Sequence, residues 1–343
     1  MSTSTTPGST RSWPRPADRA AAAVLLLLAA ALLLAALTAA AVGAYPIPWA
    51  ALAAGTLPDQ AATVLYQVRL PRIAAAMLTG AALAAAGATY QGLFRNPLVS
   101  PDVLGVSTGA GLGAVLGIFL GLPVLLIQLM GFAAGLATVA LVWAVTSAVR
   151  GQDAVLVLVL TGVVVGALAG AGISLLKVLA DPYDQLPAMT FWLLGSLAAI
   201  TLQDSFAAAP LVLLGMVPLV LLRWRINLMA LGDEEALALG VDAPRLRRLL
   251  VVAATLMTSA VVAIAGVVGW VGLVVPHLAR LLVGPDFRLL LPASALLGAA
   301  YLLAVDTLAR TISAVEIPLG ILTALLGAPF FLWLLATGRR AWR

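Results

Sequence analysis

Polar residues in this sequence fall in short clusters, separated by apolar runs near the roughly 20 residues a helix needs to cross a bilayer core. The runs lie at about 20–42, 69–90, 103–120, 122–149, 153–179, 203–222, 246–268, 270–283, 289–309 and 317–337. They predict ten transmembrane helices. The stretch 186–200 is apolar but short and broken by Gly195, so it reads as a partial, re-entrant or surface helix. No segments alternate as membrane β-strands do, and the Gly and Pro within the apolar runs suit a helical bundle, whose neighbours re-satisfy a broken backbone. The fold class is therefore all-α integral membrane. Residues 1–19 form a polar N-terminal tail and 20–343 the membrane domain. The first run exceeds the core of a signal peptide and is read as a retained helix, despite the small residues at 39–41.

Composition narrows the chemistry. At 63% hydrophobic and 10% charged over 343 residues, no stretch remains for a soluble catalytic domain. The absence of Cys excludes disulfides, thiolate metal sites and cysteine nucleophiles. His277 and Lys177 stand alone as the His and the Lys, and Lys177 lies outside any Gly-Lys-Ser or Gly-Lys-Thr, so ATP is not bound here through a P-loop. No catalytic group and no metal site is expected, nor any cofactor in this chain. The net charge of +5 forms no continuous stripe, so nucleic acid is not an expected partner.

The basic residues report topology instead. Arg11–Arg19, Arg223–Arg225, Arg245–Arg248 and Arg339–Arg343 cluster at alternate span ends. Only Arg69, Arg72, Arg310 and Lys177 fall at the others. Basic residues stay cytoplasmic, which places both termini inside. Sliding the chain along itself by 179 positions brings Arg69 onto Arg248, Thr79 onto Thr258, Gly87 onto Gly266, Pro97 onto Pro276 and Gly105 onto Gly284. Five spans separate the copies, so the second is inverted, a transporter trait.

The longest inner loop, about 223–248, carries Gly232-Asp233-Glu234-Glu235-Ala236-Leu237-Ala238-Leu239-Gly240-Val241. Acids at a helix start complement its dipole and glycine stops it. A second short helix is expected after Pro244, with Leu237, Leu239 and Val241 offered to a partner. From physics alone a membrane-surface loop explains the segment equally well.

The runs Arg69-Leu70-Pro71-Arg72, Gln91-Gly92-Leu93-Phe94-Arg95-Asn96-Pro97-Leu98, Leu104-Gly105-Val106-Ser107-Thr108-Gly109-Ala110, Phe191-Trp192-Leu193-Leu194-Gly195-Ser196, Gly272-Leu273-Val274-Val275-Pro276-His277-Leu278-Ala279-Arg280 and Pro318-Leu319-Gly320 to Gly327-Ala328-Pro329 fall in one order along the chain. Together they resemble the FecCD-type permeases of ABC importers for ferric siderophores, haem and cobalamin. The resemblance covers helix 2 to the C-terminus. It implies a homodimer in the bacterial inner membrane with the pathway at its interface, two ATP-binding subunits below and a periplasmic binding protein above. It also implies that Gly232, Asp233, Glu234, Glu235, Leu237, Gly240 and Arg245 couple the chain to the ATPase. Arg69, Arg72 and Arg310 would dock the binding protein. Locally, each could equally snorkel at a helix end, or pair with Asp59 or Glu316.

The remaining polar residues have plainer readings. His277 invites comparison with an axial haem ligand, but its motif is shared by importers of haem-free cargo and reads as architectural. Asp306 is costly in a membrane if unpaired, and Arg310 four residues on is its economical partner; the competing reading is a proton relay in an ion-coupled transporter. Lys177 points toward Asp181 or Asp184. Phe191 and Trp192 form an interfacial anchor or, less economically, a substrate stack. Gly162, Gly166 and Gly170 offer small-residue faces for close packing and for lining a translocation pathway. Such a pathway suits an intact iron complex, with haem placed slightly ahead of ferric siderophore, since bare ions would need ligands the spans lack.

Overall fold

The computed structural model describes residues 16–149, 154–313 and 315–337, and among them every regular element is helical. Arg11, Arg15 and the arginines of Arg339–Arg343, on which the topology partly rests, lie outside the described residues. The first element, α1 (Pro16–Ala41), is an Ala- and Leu-rich rod whose Leu26, Leu27, Leu33 and Leu34 stay exposed. Short helices α2 (Trp49–Ala53) and α3 (Asp59–Thr63) follow. A π-helical turn, Val64–Arg69, joins α3 without a break to α4 (Leu70–Leu93). The wide turn sits immediately before Pro71, which has no N–H to donate to the helix.

Helix α4 is the axis of the bundle, packed against α9, α11, α12 and α13. Its Ala- and Gly-rich sequence makes that possible. A Cβ on Gly80 would overlap the carbonyl oxygen of Gly298, and one on Gly87 that of Gly272, so both crossings require backbone against backbone. A 3-10 turn, Pro101–Leu104, leads through Gly105 (φ 75°) into α5 (Val106–Phe119), which packs on α6 (Val124–Ala148) and α7 (Ala154–Leu179). The half-length stretch forms α8 (Gln185–Leu194), as expected. Then come α9 (Leu202–Met229), opened by a Thr201–Asp204 capping box, and the small α10 (Asp233–Ala238). The last four are α11 (Ala243–Ala265), α12 (Val271–Val283), α13 (Phe287–Ala309) and α14 (Leu319–Thr337).

Among the described residues, seven helices are long and apolar enough to cross a membrane, and three shorter apolar ones, within α5, α12 and α14, occupy the other expected spans. Helices α4 and α11, which the 179-residue offset aligns, are neighbours and the most buried of the long ones.

Candidate functional site

Functional side chains collect at the two ends of the bundle. At one end the loop expected over 223–248 is shorter than that, because α9 and α11 run into it from both sides and leave only 230–242. Within it Gly232 (φ 135°) and Gly240 (φ 82°) bracket α10 in backbone conformations that favour glycine. Asp233, Glu234 and Glu235 form its first turn. Ala236 and Val241 are buried beneath it, whereas Leu237 (66%) and Leu239 (57%) face outward. Val241 is therefore a core residue and not part of an offered surface. Nor does a separate short helix follow Pro244: proline is tolerated in a first helical turn, so Ala243 to Ala265 is one helix.

Two arginines fix this face. The buried Arg247 donates to both oxygens of Asp233 at 2.8 and 3.1 Å, tying α10 to α11. Arg245 is exposed and, among the described residues, pairs only with Asp242 at 3.0 Å, whose carboxylate also accepts from the Arg245 backbone N–H and caps α11. Beneath them, polar clamps hold the helix ends. The Gln91 amide donates to the Leu273 carbonyl (3.1 Å) and accepts from Arg280 (3.3 Å), joining α4 to α12. Asn227 donates to Asp286 (2.8 Å) and accepts from the Phe287 N–H (2.9 Å), joining α9 to α13. The Arg288 guanidinium beside Asp286 holds that carboxyl at about 2. Sequence reasoning used Gln91 and Arg280 only as letters of motifs and missed Asn227; amides set in apolar segments were the available signal.

The opposite end holds the three outward arginines. They do converge, but as a buried cluster and not as exposed charges. Arg69, 3% exposed, donates to the carbonyls of Ala40 (2.6 Å), Ala41 (3.2 Å) and Tyr45. Arg310 donates to the carbonyls of Val42 (2.7 Å) and Ala39. These bonds satisfy backbone oxygens at the end of α1 and beyond it, where the helix leaves carbonyls without partners. Arg72 bridges two acids, Asp306 at 2.7 Å and Glu316 at 2.8 Å. The main partner of Asp306 is thus Arg72, 234 positions away, with Arg310 farther off at 3.9 Å. Glu316, the more exposed acid, also accepts from the Ser196 hydroxyl at 3.3 Å, linking α4 to the segment after α8.

Other expected residues sit more quietly. Gly162 is packed on the Val103 carbonyl, and Gly166 and Gly170 face Gly105 and Thr108, so this stripe seats α7 on α5 and the 3-10 turn. The opposite side of α7 leaves Leu160, Val163, Val164 and Leu168 exposed. His277 is 9% exposed in the middle of α12, its Nε2 without a partner. Asp181 caps the turn into α8 by accepting from the backbone N–H groups of Tyr183 and Asp184, both at 2.9 Å, rather than pairing with Lys177. The Trp192 ring rests on Gly111 and Gly131, and Phe191 stays exposed beside it. Among the described residues no group of three His, Cys, Asp or Glu could hold a metal ion.

Known proteins share this architecture. The chain is 42% identical, over 84% of its length and 79% of the relative's, to the cobalamin import system permease protein BtuC of Halobacterium salinarum. It is 40% identical, over 82% of its length and 84% of the relative's, to the molybdate import system permease protein MolB of Haemophilus influenzae. Among solved structures, an inward-facing putative metal-chelate type ABC transporter superposes with a TM-score of 0.85 at 38% identity, covering 92% of this chain and 99% of that one. The model of the FecCD transport family matches residues 27–337, nearly the whole described bundle, and the chain belongs to that family.

Proposed function

We propose that this chain is the permease subunit of an ATP-driven importer, working as a homodimer with two ATP-binding subunits on the α10 side and a substrate-binding protein on the other. The cargo is an intact iron complex, with haem placed ahead of ferric siderophore. The observation that carries the reading is the α10 face: a short helix pinned by Arg247 to a transmembrane helix, offering Glu234, Leu237, Leu239 and Arg245 outward. A rigid contact of this kind passes on the movement of a partner as a body. The α10 end is then cytoplasmic, together with both termini, in a bacterial inner membrane.

In this reading the pathway runs between two copies along α7, with Gly162, Gly166 and Gly170 behind its wall and the exposed apolar side of α7 facing inward. Arg69, Arg72 and Arg310 mark where the binding protein docks. Cobalamin is the second reading, favoured by the BtuC relative.

The test is uptake by proteoliposomes. With the ATP-binding subunits and the binding protein present, ATP should drive uptake of haem above ferric siderophore, cobalamin and molybdate. Uptake by the chain alone, driven by an ion gradient and abolished by Asp306→Asn, would replace the importer with a secondary transporter.

A further inference from the structure

Between α6 and α11, toward the α10 end, lies an open cavity of about 570 Å³. Helix α6 lines it with Leu136, Ala140, Trp143 and Ser147, and α11 with Arg248 and Val252. The helices meet tightly at Gly135, where a Cβ would come within 2.6 Å of the Ser259 hydroxyl, and the cavity lies beyond that contact toward the end of the bundle. From Leu136 to Ser147 the groove is about 16 Å long at roughly 1.5 Å per residue, close to half of the roughly 30 Å hydrocarbon core. It therefore has the depth of one leaflet.

Its polar groups are graded by depth. At the mouth, Arg248 is exposed and no other described residue pairs with it; a second cavity, of about 450 Å³, continues from it past Arg245. One turn of α6 inward from Ser147, the Trp143 indole N–H is buried without an acceptor. A buried donor left unpaired is costly and is commonly paired in native structures. Deeper still, Leu136, Val139 and Ala140 are apolar. A phospholipid presents the same order, a charged phosphate at the surface and acyl chains beneath it.

We infer that this groove is a binding site for an anionic phospholipid of the adjoining leaflet. The phosphate pairs with Arg248 at the interface, and the acyl chain covers the Trp143 ring, Leu136, Val139 and Ala140. Arginine near a membrane surface selects negative headgroups, so phosphatidylglycerol is held in preference to phosphatidylcholine. The site lies apart from the arginine cluster at the other end, its mouth borders the α10 face, where Arg248 follows Arg245 by one helical turn, and the inference holds whichever cargo is carried.

Native mass spectrometry of the full-length permease, released from nanodiscs containing phosphatidylglycerol and phosphatidylcholine in equal amounts, reads the preference directly. The parent chain should retain phosphatidylglycerol about fivefold over phosphatidylcholine, the weight of one arginine at an anionic surface. Arg248→Gln should remove the preference and Arg248→Lys keep it, which separates headgroup pairing from damage to the fold. Trp143→Ala, which removes the ring from the groove wall, should weaken retention of both lipids alike. Equal retention of the two lipids by the parent, or an undiminished preference in Arg248→Gln, would overturn the inference. So would a groove occupied by a second copy, seen as exclusion of both lipids together with cross-linking between protomers of a Ser147→Cys variant.

Discussion

Replacing Arg72 by Ala should unfold this protein more readily than any other single change at the end opposite α10. The guanidinium holds Asp306 at 2.7 Å, with side chains 7% and 1% exposed, so the loss strands a carboxylate that water cannot reach. Breaking such a buried pair costs about 3–5 kcal/mol, mostly through the charge left behind. The second acid contributes far less: the Glu316 side chain is 28% exposed, and a partly exposed pair is worth about 1 kcal/mol or less. Arg310 is at 3.9 Å and already committed to carbonyls, so it does not replace Arg72. Glu316→Gln should therefore be mild, and Arg72→Leu with Asp306→Leu should recover most of the loss, because neither charge then remains unpaired. Unfolding free energies from SDS titration of mixed micelles, followed by tryptophan fluorescence, provide the ranking. Arg72→Ala within about 1 kcal/mol of the parent, an ordinary value for a point mutant, would refute the reasoning. It would leave docking, proposed above, as the role of Arg72 without a part in holding the fold.

Alanine at Asp233, Glu234 and Glu235 together should leave a folded permease that co-purifies less ATPase or no longer links hydrolysis to transport; unchanged transport with normal ATPase stimulation would refute this. Leucine at Gly80 or Gly87 should prevent assembly of the bundle, seen as loss of the monodisperse peak in size-exclusion chromatography, whereas Gly240→Ala, with open space around it but φ 82°, should cost only about 1 kcal/mol. His277→Ala should lower stability modestly and leave haem uptake and the Soret band in place; a band shift in the parent that vanishes in the variant would make His277 a ligand. The Asp286 carboxyl, held at about 2 by Arg288, stabilises the fold fully above the ordinary value near 4 and loses that contribution as pH falls toward 2. Stability attributable to this group should therefore be flat from pH 7 to about 5, and Asp286→Asn should flatten the acid limb; a parent whose Asp286-dependent stability falls between pH 7 and 5 would count against it.

Hydropathy located the long helices and the short α8 because burial in lipid and burial in protein both demand apolar side chains, but it passed over α2 and α3, which are only five residues each. What it missed depends on which neighbour each side chain meets. Asp306 looked toward Arg310 because four residues on a helix are adjacent, yet its guanidinium came from α4 across the bundle. Arg69 and Arg310 looked outward because a span end faces water, but the carbonyls at and after the end of α1 needed donors. The gap between α6 and α11 depends on how two helices distant in sequence pack on either side of the Gly135 contact, and hydropathy carries no packing. The α10 loop was legible for a different reason: its glycines and acids act within a few residues of one another.

The unbroken helix from Asp59 to Leu93 is 35 residues long, about 50 Å at roughly 1.5 Å per residue, with Arg69 and Arg72 toward one end and Gln91 at the other. A stiff rod of that length is a lever. A tilt of about 5° about one end would sweep the other through roughly 4 Å. The 3.1 Å bond from Gln91 to Leu273 would not survive that excursion, since hydrogen bonds fail within a few tenths of an ångström of their limit. The two faces of the membrane are therefore geared together by one piece of backbone, and whatever rocks the rod at the arginines must slip a tooth at the glutamine.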